Sequence, residues 1–252
     1  MINHALFVKE LVENRIKFWI ALFVLGVIAV AIPLLFEFTT ELGRLDLSHF
    51  VDPGELSFIL SNYNNYAWSQ WTAKNLTQLA SLTAVVLGMG ALAGESAYGT
   101  APFLLSKPVS RRQVYTTKVV AGIFLLGIAI YVSTFILILV SSMQGYALQV
   151  GPFIASTFVV FAGGAVIYLG TALISTLIPD PVKAGVVAGL FWALLSVPGF
   201  FRATAHYSIY YQMKAIPYWL QGVFPWFVML VLLGLGYMLL ETGVYYWKRK
   251  DF

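Results

Sequence analysis

Six stretches of this chain contain no Asp, Glu, Lys, Arg or His and are each long enough to cross a bilayer: residues 18–36, 75–94, 119–142, 152–178, 184–201 and 222–240. A helix needs about 20 apolar residues to traverse a hydrocarbon layer ~30 Å thick. Backbone N–H and C=O groups at that depth find no water, so each segment must bond within itself. The expected fold is therefore an all-α integral membrane protein with six transmembrane helices. A composition that is 60% hydrophobic and only 10% charged leaves no stretch for a separate soluble domain, and residues 1–252 read as one transmembrane domain. The first run is too long for a signal-peptide core, and no small-x-small cleavage site follows it before Glu37, so it reads as a retained span.

Basic residues set the expected orientation, because Lys and Arg flanking spans stay on the cytoplasmic side. With the N-terminus inside, Lys9, Arg15, Lys17, Lys107, Arg111, Arg112, Lys118, Lys183, Lys248, Arg249 and Lys250 are cytoplasmic, and only Arg44, Lys74, Arg202 and Lys214 are outside. Both termini are thus expected in the cytoplasm. The positive net charge is a matter of membrane sidedness and does not point to nucleic acid.

Before the first span, residues 1–17 place Ala5, Val8, Val12 and Ile16 at three- and four-residue steps, continued by Trp19, with Asn3, Glu10 and Asn14 on the far side. This pattern suits an amphipathic helix lying in the inner interface. Residues 37–74 form an expected external loop rich in Tyr, Asn and Trp, which favour the membrane boundary. A second external aromatic segment, 202–222, suits short helices dipping into the outer leaflet.

No chemistry of the usual kinds is visible. The spans as drawn hold no ionisable residue, whereas ion-coupled carriers and intramembrane hydrolases place one at depth. His4, His49 and His206 lie outside the spans and far apart, there is no cysteine, and no metal site is expected. No GxxxxGK[ST] loop occurs, so the chain lacks a P-loop of its own. No cofactor is expected on it, and no catalytic residue. Gly90 with Gly94, and Gly185 with Gly189, form GxxxG pairs that serve either helix packing within the subunit or a dimer interface.

The connector between the second and third runs, GESAYGTAPFLLSKPVSRRQVYTTK at 94–118, is the informative loop. Glu95 stands at the membrane exit. Gly99 and Thr100 offer a flexible point. Phe103, Leu104 and Leu105 make an apolar knob that must bury against lipid or protein. Pro108 stops any continuing helix, and Ser110 with Gln113 has the form of a capping box restarting one. Arg111 and Arg112 oppose the new helix's dipole by a few tenths of a kcal/mol each, so another interaction holds them there. Positive charge near anionic lipid and a docking surface for a cytoplasmic partner account for the basic residues equally well.

These residues resemble a family. Glu95, Gly99, Thr100, Leu104, Leu105, Pro108, Ser110, Arg111 and Lys118 match the pattern E-x3-GT-x3-LL-x2-P-x-SR-x6-K of permease subunits of type 2 ATP-binding-cassette (ABC) exporters, and the ending WKRKDF at 247–252 is similar to theirs. The resemblance implies a separate cytoplasmic ABC ATPase that carries the ATP and magnesium, contacted by the N-terminal helix and by residues 95–118. It also implies a second permease copy facing this one, in a multi-pass protein of the bacterial cytoplasmic membrane that moves a hydrophobic or amphipathic cargo outward. A membrane scaffold or sensor that recruits a cytoplasmic partner would use the same connector, and the residues alone leave that alternative open.

Overall fold

The computed structural model describes residues 2–42 and 53–251 and is helical throughout, with no strand among them. Six helices are long and apolar enough to span a membrane: Arg15–Leu34, Tyr63–Ala97, Arg111–Met143, Val150–Leu177, Pro181–Phe200 and Trp226–Arg249. Each contains most of one of the six uncharged runs. Several spans extend past charged residues that bounded the runs, among them Lys118 and Glu241, each of which has an ion-pair partner. Arg44 and Phe252 lie outside the described residues.

The third and fourth spans form the centre. The first packs along the third, the second and sixth pack on the fourth, and the fifth is held mainly through the fourth and second. Close approach depends on glycines facing aromatic side chains. A Cβ on Gly122 would overlap the ring of the fully buried Tyr168, and one on Gly243 would overlap Tyr115. Glycine there removes the volume that would hold the helices apart. Most buried hydroxyls in the spans, such as those of Ser133, Thr157 and Thr171, bond back to carbonyls of their own helix, which satisfies them without a partner helix.

The second span begins earlier than the uncharged run suggested. Asn62 caps it by accepting from the Asn65 amide at 2.9 Å, so 63–74, read from the sequence as external loop, belongs to its helix. Residues Ser69–Leu76 wind as a π-helix. The wider turn buries Trp71, whose indole donates to Thr134 on the third span at 3.1 Å, while Lys74 on the same turn is exposed. The remainder of the stretch packs an aromatic layer at this end of the bundle. Tyr63 stacks on Tyr146 with centroids 4.3 Å apart, and Trp68 stacks on Trp219 at 5.4 Å. Trp219 belongs to a short helix, Ile216–Gln221, within the second aromatic segment and donates to Asn65 at 2.9 Å.

Candidate functional site

At the opposite end, the connector and the N-terminal helix, His4–Glu13, converge on one cluster of charges. Lys118 extends from the first turns of the third span and is only 3% exposed. Its ammonium pairs with Glu95 at 2.8 Å and with Glu10. Lys9 donates to the same Glu95 oxygen at 3.0 Å and pairs with Glu13 at 3.3 Å. The Thr100 hydroxyl donates to the other Glu95 oxygen. Glu95 is 4% exposed and therefore receives three donors out of water, which is what a buried carboxylate needs to stay ionised.

The sequence accounts for this assembly locally. Asn3 caps the N-terminal helix by accepting from the Leu6 amide, and its own amide donates to Thr117 at 3.1 Å, pinning the helix beside Lys118. The apolar stripe of that helix faces outward, with Val8, Val12 and Ile16 exposed, as a membrane-facing surface requires. The polar side, far from being a water face, is turned into the protein: Glu10 is 3% exposed. Burial pushes the Glu10 carboxyl above its ordinary range, with Lys118 partly offsetting it. For Lys9, burial works against the charge, but the hydrogen bond from Lys9 to Glu95 and the charges of Glu95, Glu13 and Glu10 outweigh it and raise its value. Oxygens of Glu10, Glu13 and Glu95 lie within 4.8 Å of one another. Lys9 and Lys118 already supply among them the positive charge that a metal ion would bring.

The connector itself is two short helical turns, Ala93–Ala97 and Ala101–Leu105, joined at Gly99, whose φ of 65° lies in the left-handed region that favours glycine. Phe103 points outward and is 68% exposed, with the Lys107 ammonium 4.7 Å from its ring centroid, and Tyr98 is 81% exposed. Leu104 turns inward against the core. The side chain of Leu105 lies outside the described part. Pro108 is exposed in the turn between Ala101–Leu105 and the third span, and Ser110 caps the third span by accepting from the Gln113 amide at 3.1 Å.

Arg111 and Arg112 reach away from the cluster. Arg111 donates to the carbonyls of Lys248 and Lys250 at 3.0 and 2.5 Å, bonding the otherwise open C-terminal end of the sixth span. Arg112 pairs with Glu241. The unfavourable place of Arg111 in a helix first turn is thus offset by the favourable end of another helix, and that of Arg112 by the carboxylate of Glu241.

The GxxxG glycines separate by surroundings. A Cβ on Gly90 would come within 2.9 Å of the Lys17 ammonium, and one on Gly185 within 2.7 Å of the Met89 sulfur. Gly94 has ordinary room and Gly189 faces open space. The N-terminal helix, the connector and the start of the fifth span at Pro181 border a cavity of about 1040 Å³ whose lining includes Lys17, Glu13 and one side of Phe103.

The cluster brings Glu95, Thr100 and Lys118, which the sequence singled out, together with Lys9, Glu10 and Glu13, which it did not; Thr117 and Glu241 are likewise contacts that the sequence did not single out. The available signal was Glu10, a carboxylate opposite the apolar stripe of the N-terminal helix. No curated protein matches the chain. A family model described as ABC-2 family transporter protein matches residues 8–217, from the N-terminal helix through the connector and five spans to the short aromatic helices. A six-span helical bundle whose connector closes on its N-terminal helix, matched over most of its length, belongs to the ABC-2 transporter family.

Proposed function

We propose that this chain is the membrane subunit of an ABC exporter, working as a pair of permease subunits with a separate ATPase that binds ATP and magnesium. The observation that carries this reading is the charge cluster joining Lys9, Glu10, Glu95 and Lys118. It ties the N-terminal helix, both ends of the connector and the third span into one stiff unit, with Tyr98 and Phe103 exposed on its surface. A stiff base under an exposed aromatic contact suits the transmission of a push from a soluble partner to the spans. The basic residues gathered at this end support placing it in the cytoplasm of a bacterial cell, and the open face at Gly189 supports packing against a second copy.

In this reading Phe103 and Tyr98 are the docking contacts, Gly99 and Pro108 set the shape of the loop, and Glu95, Thr100 and Lys118 hold its base. Arg111 and Arg112 act indirectly, through the sixth span, Arg111 at its end and Arg112 at Glu241. The test is purification of the chain from native membranes together with whatever ATPase accompanies it. Phe103→Asp lowers ATPase recovery and ATP hydrolysis about tenfold or more, the range of a central interface aromatic, while membrane insertion is unchanged. Full recovery and hydrolysis with both Phe103→Asp and Tyr98→Asp would remove the docking role.

A further inference from the structure

One face of the second span is unlike every other outward face of the spans. Gln70 is half-buried and Lys74 and Gln78 are exposed, in steps of four along the helix, and among the described residues none of the three side chains has a hydrogen-bond or ion-pair partner. The outward faces of the first, fifth and sixth spans carry Phe, Leu, Ile and Val at comparable depth. Elsewhere in the bundle, polar side chains between the ends are mostly buried and bonded to their own helix.

The depth of this face follows from contacts with neighbouring spans. Trp71 bonds to Thr134, and Thr134 lies 3.4 Å from Thr157. At 1.5 Å per residue, Thr134 is about 24 Å from Lys118 along the third span, and Thr157 about 30 Å from Leu177 along the fourth. Lys74 is about a turn closer to the connector than Trp71, and Gln78 about two turns, which puts Gln78 well inside a hydrocarbon layer ~30 Å thick. An ammonium can reach toward the surface along its flexible stem. The short amide of Gln78 cannot, and no lipid tail bonds to it. The π-helix is what presents the face, because its wide turn sends Trp71 inward and leaves Lys74 outward.

We infer that the face carrying Gln70, Lys74 and Gln78 lines a water-filled route through the bilayer, and that Lys74 receives the anionic head of an amphipathic cargo. The inference rests on the transport reading and narrows it. Three unmet polar side chains require water or a polar ligand, and the single charge among them is positive. The first and fifth spans, which touch the second, are apolar beyond Arg15, Lys17 and Lys183 at their connector-side ends and offer the cargo's hydrocarbon part a matching surface.

The chain has no cysteine, so single-cysteine variants read this face directly. Gln78→Cys in intact membranes is expected to react with small charged thiol reagents, and about five- to tenfold faster with an anionic than with a cationic one, the ratio that one ammonium about 7 Å away produces in water. Lys74→Gln in the same background is expected to bring the two rates together. Gln70→Cys serves as a second reporter should Gln78→Cys fail to insert. Three results would overturn the inference: no reaction in membranes with full reaction in detergent, a spontaneous disulfide between two copies through Gln78→Cys, or equal rates with Lys74 intact. The labelling needs no ATPase, so a failure to recover one would count against the transport reading while leaving this measurement standing.

Discussion

Lys118 Nζ lies 2.8 Å from Glu95 Oε1, and that contact fixes the two ends of the connector to each other. Everything from Ser96 to Thr117 is thereby held as a closed loop whose tip carries Phe103. Glu10 and Lys9 complete the closure from the N-terminal helix, so three separate parts of the chain share one set of charges, of which Glu10, Glu95 and Lys118 are buried.

Removing one member of such a set leaves the others uncompensated. Lys118→Met is expected to cost about 3–5 kcal/mol, the range for breaking a buried pair from one side. Adding Glu10→Gln should recover more than half of that loss. Lys118 is the one ion-pair partner of Glu10 among the described residues, whereas Glu95 keeps Lys9 and Thr100. Thermal unfolding in detergent, followed by tryptophan fluorescence, measures both. Additive losses in the double variant would show that the two residues do not act as a pair.

Lys9 gives the cluster a dependence on alkaline pH. Burial opposes its charge, but the bond to Glu95 and the nearby carboxylates raise its value above the ordinary 10.5. A raised lysine contributes stability that is fully present below the unfolded value and is lost as pH rises through the folded one. Unfolding temperature is therefore expected to fall as pH rises past 10.5, and Lys9→Met should flatten that part of the curve. An identical slope in the variant would assign the fall to other groups.

Six spans were legible because the cost of charge in hydrocarbon makes uncharged runs conspicuous, and the cap at Ser110 follows from local chemistry. The reach of the second span was not. Lys74 ended the uncharged run, and nothing local announces the π-helix that turns that lysine outward. Glu95 and Lys118 were legible as connector ends, but their partner Glu10 looked like the wet side of an amphipathic helix. Only the packing of that helix onto the third span, through Asn3 and Thr117, reveals which way it faces. Arg111 was legible as a residue in an unfavourable place, whereas its reason lies at the far end of the sequence, in the carbonyls of Lys248 and Lys250.

Gly243 tests the closeness of the third and sixth spans. Gly243→Ala drives a Cβ into the Tyr115 ring and hydroxyl, and it is expected to destabilise by about 1–3 kcal/mol, as overpacking does. Tyr115→Phe in addition removes the hydroxyl but not the ring, so it should recover a part of the loss. Gly189→Ala, which meets nothing within the subunit, should leave unfolding within about 0.5 kcal/mol of the parent. The same unfolding measurement compares all three, and equal effects at Gly243 and Gly189 would contradict the packing described.

Arg111 and Arg112 are adjacent in sequence and predict different outcomes. Arg111 bonds the last carbonyls of the sixth span through charge-assisted hydrogen bonds, a type that contributes about 1.5–3 kcal/mol. Arg112 makes an ion pair with Glu241 that is largely open to solvent, where such pairs contribute about 0–1 kcal/mol. Arg111→Ala should therefore fray the end of the sixth span and speed tryptic cleavage after Lys248, Arg249 and Lys250 several-fold, while Arg112→Ala leaves cleavage near the parental rate. Arg111→Lys should restore only part of the protection, because an ammonium lacks the planar fork that reaches several carbonyls at once. Cleavage of the C-terminal segment, followed over time by mass spectrometry, reads this directly, and equal protection in the two alanine variants would mean that Arg111 does not hold the helix end.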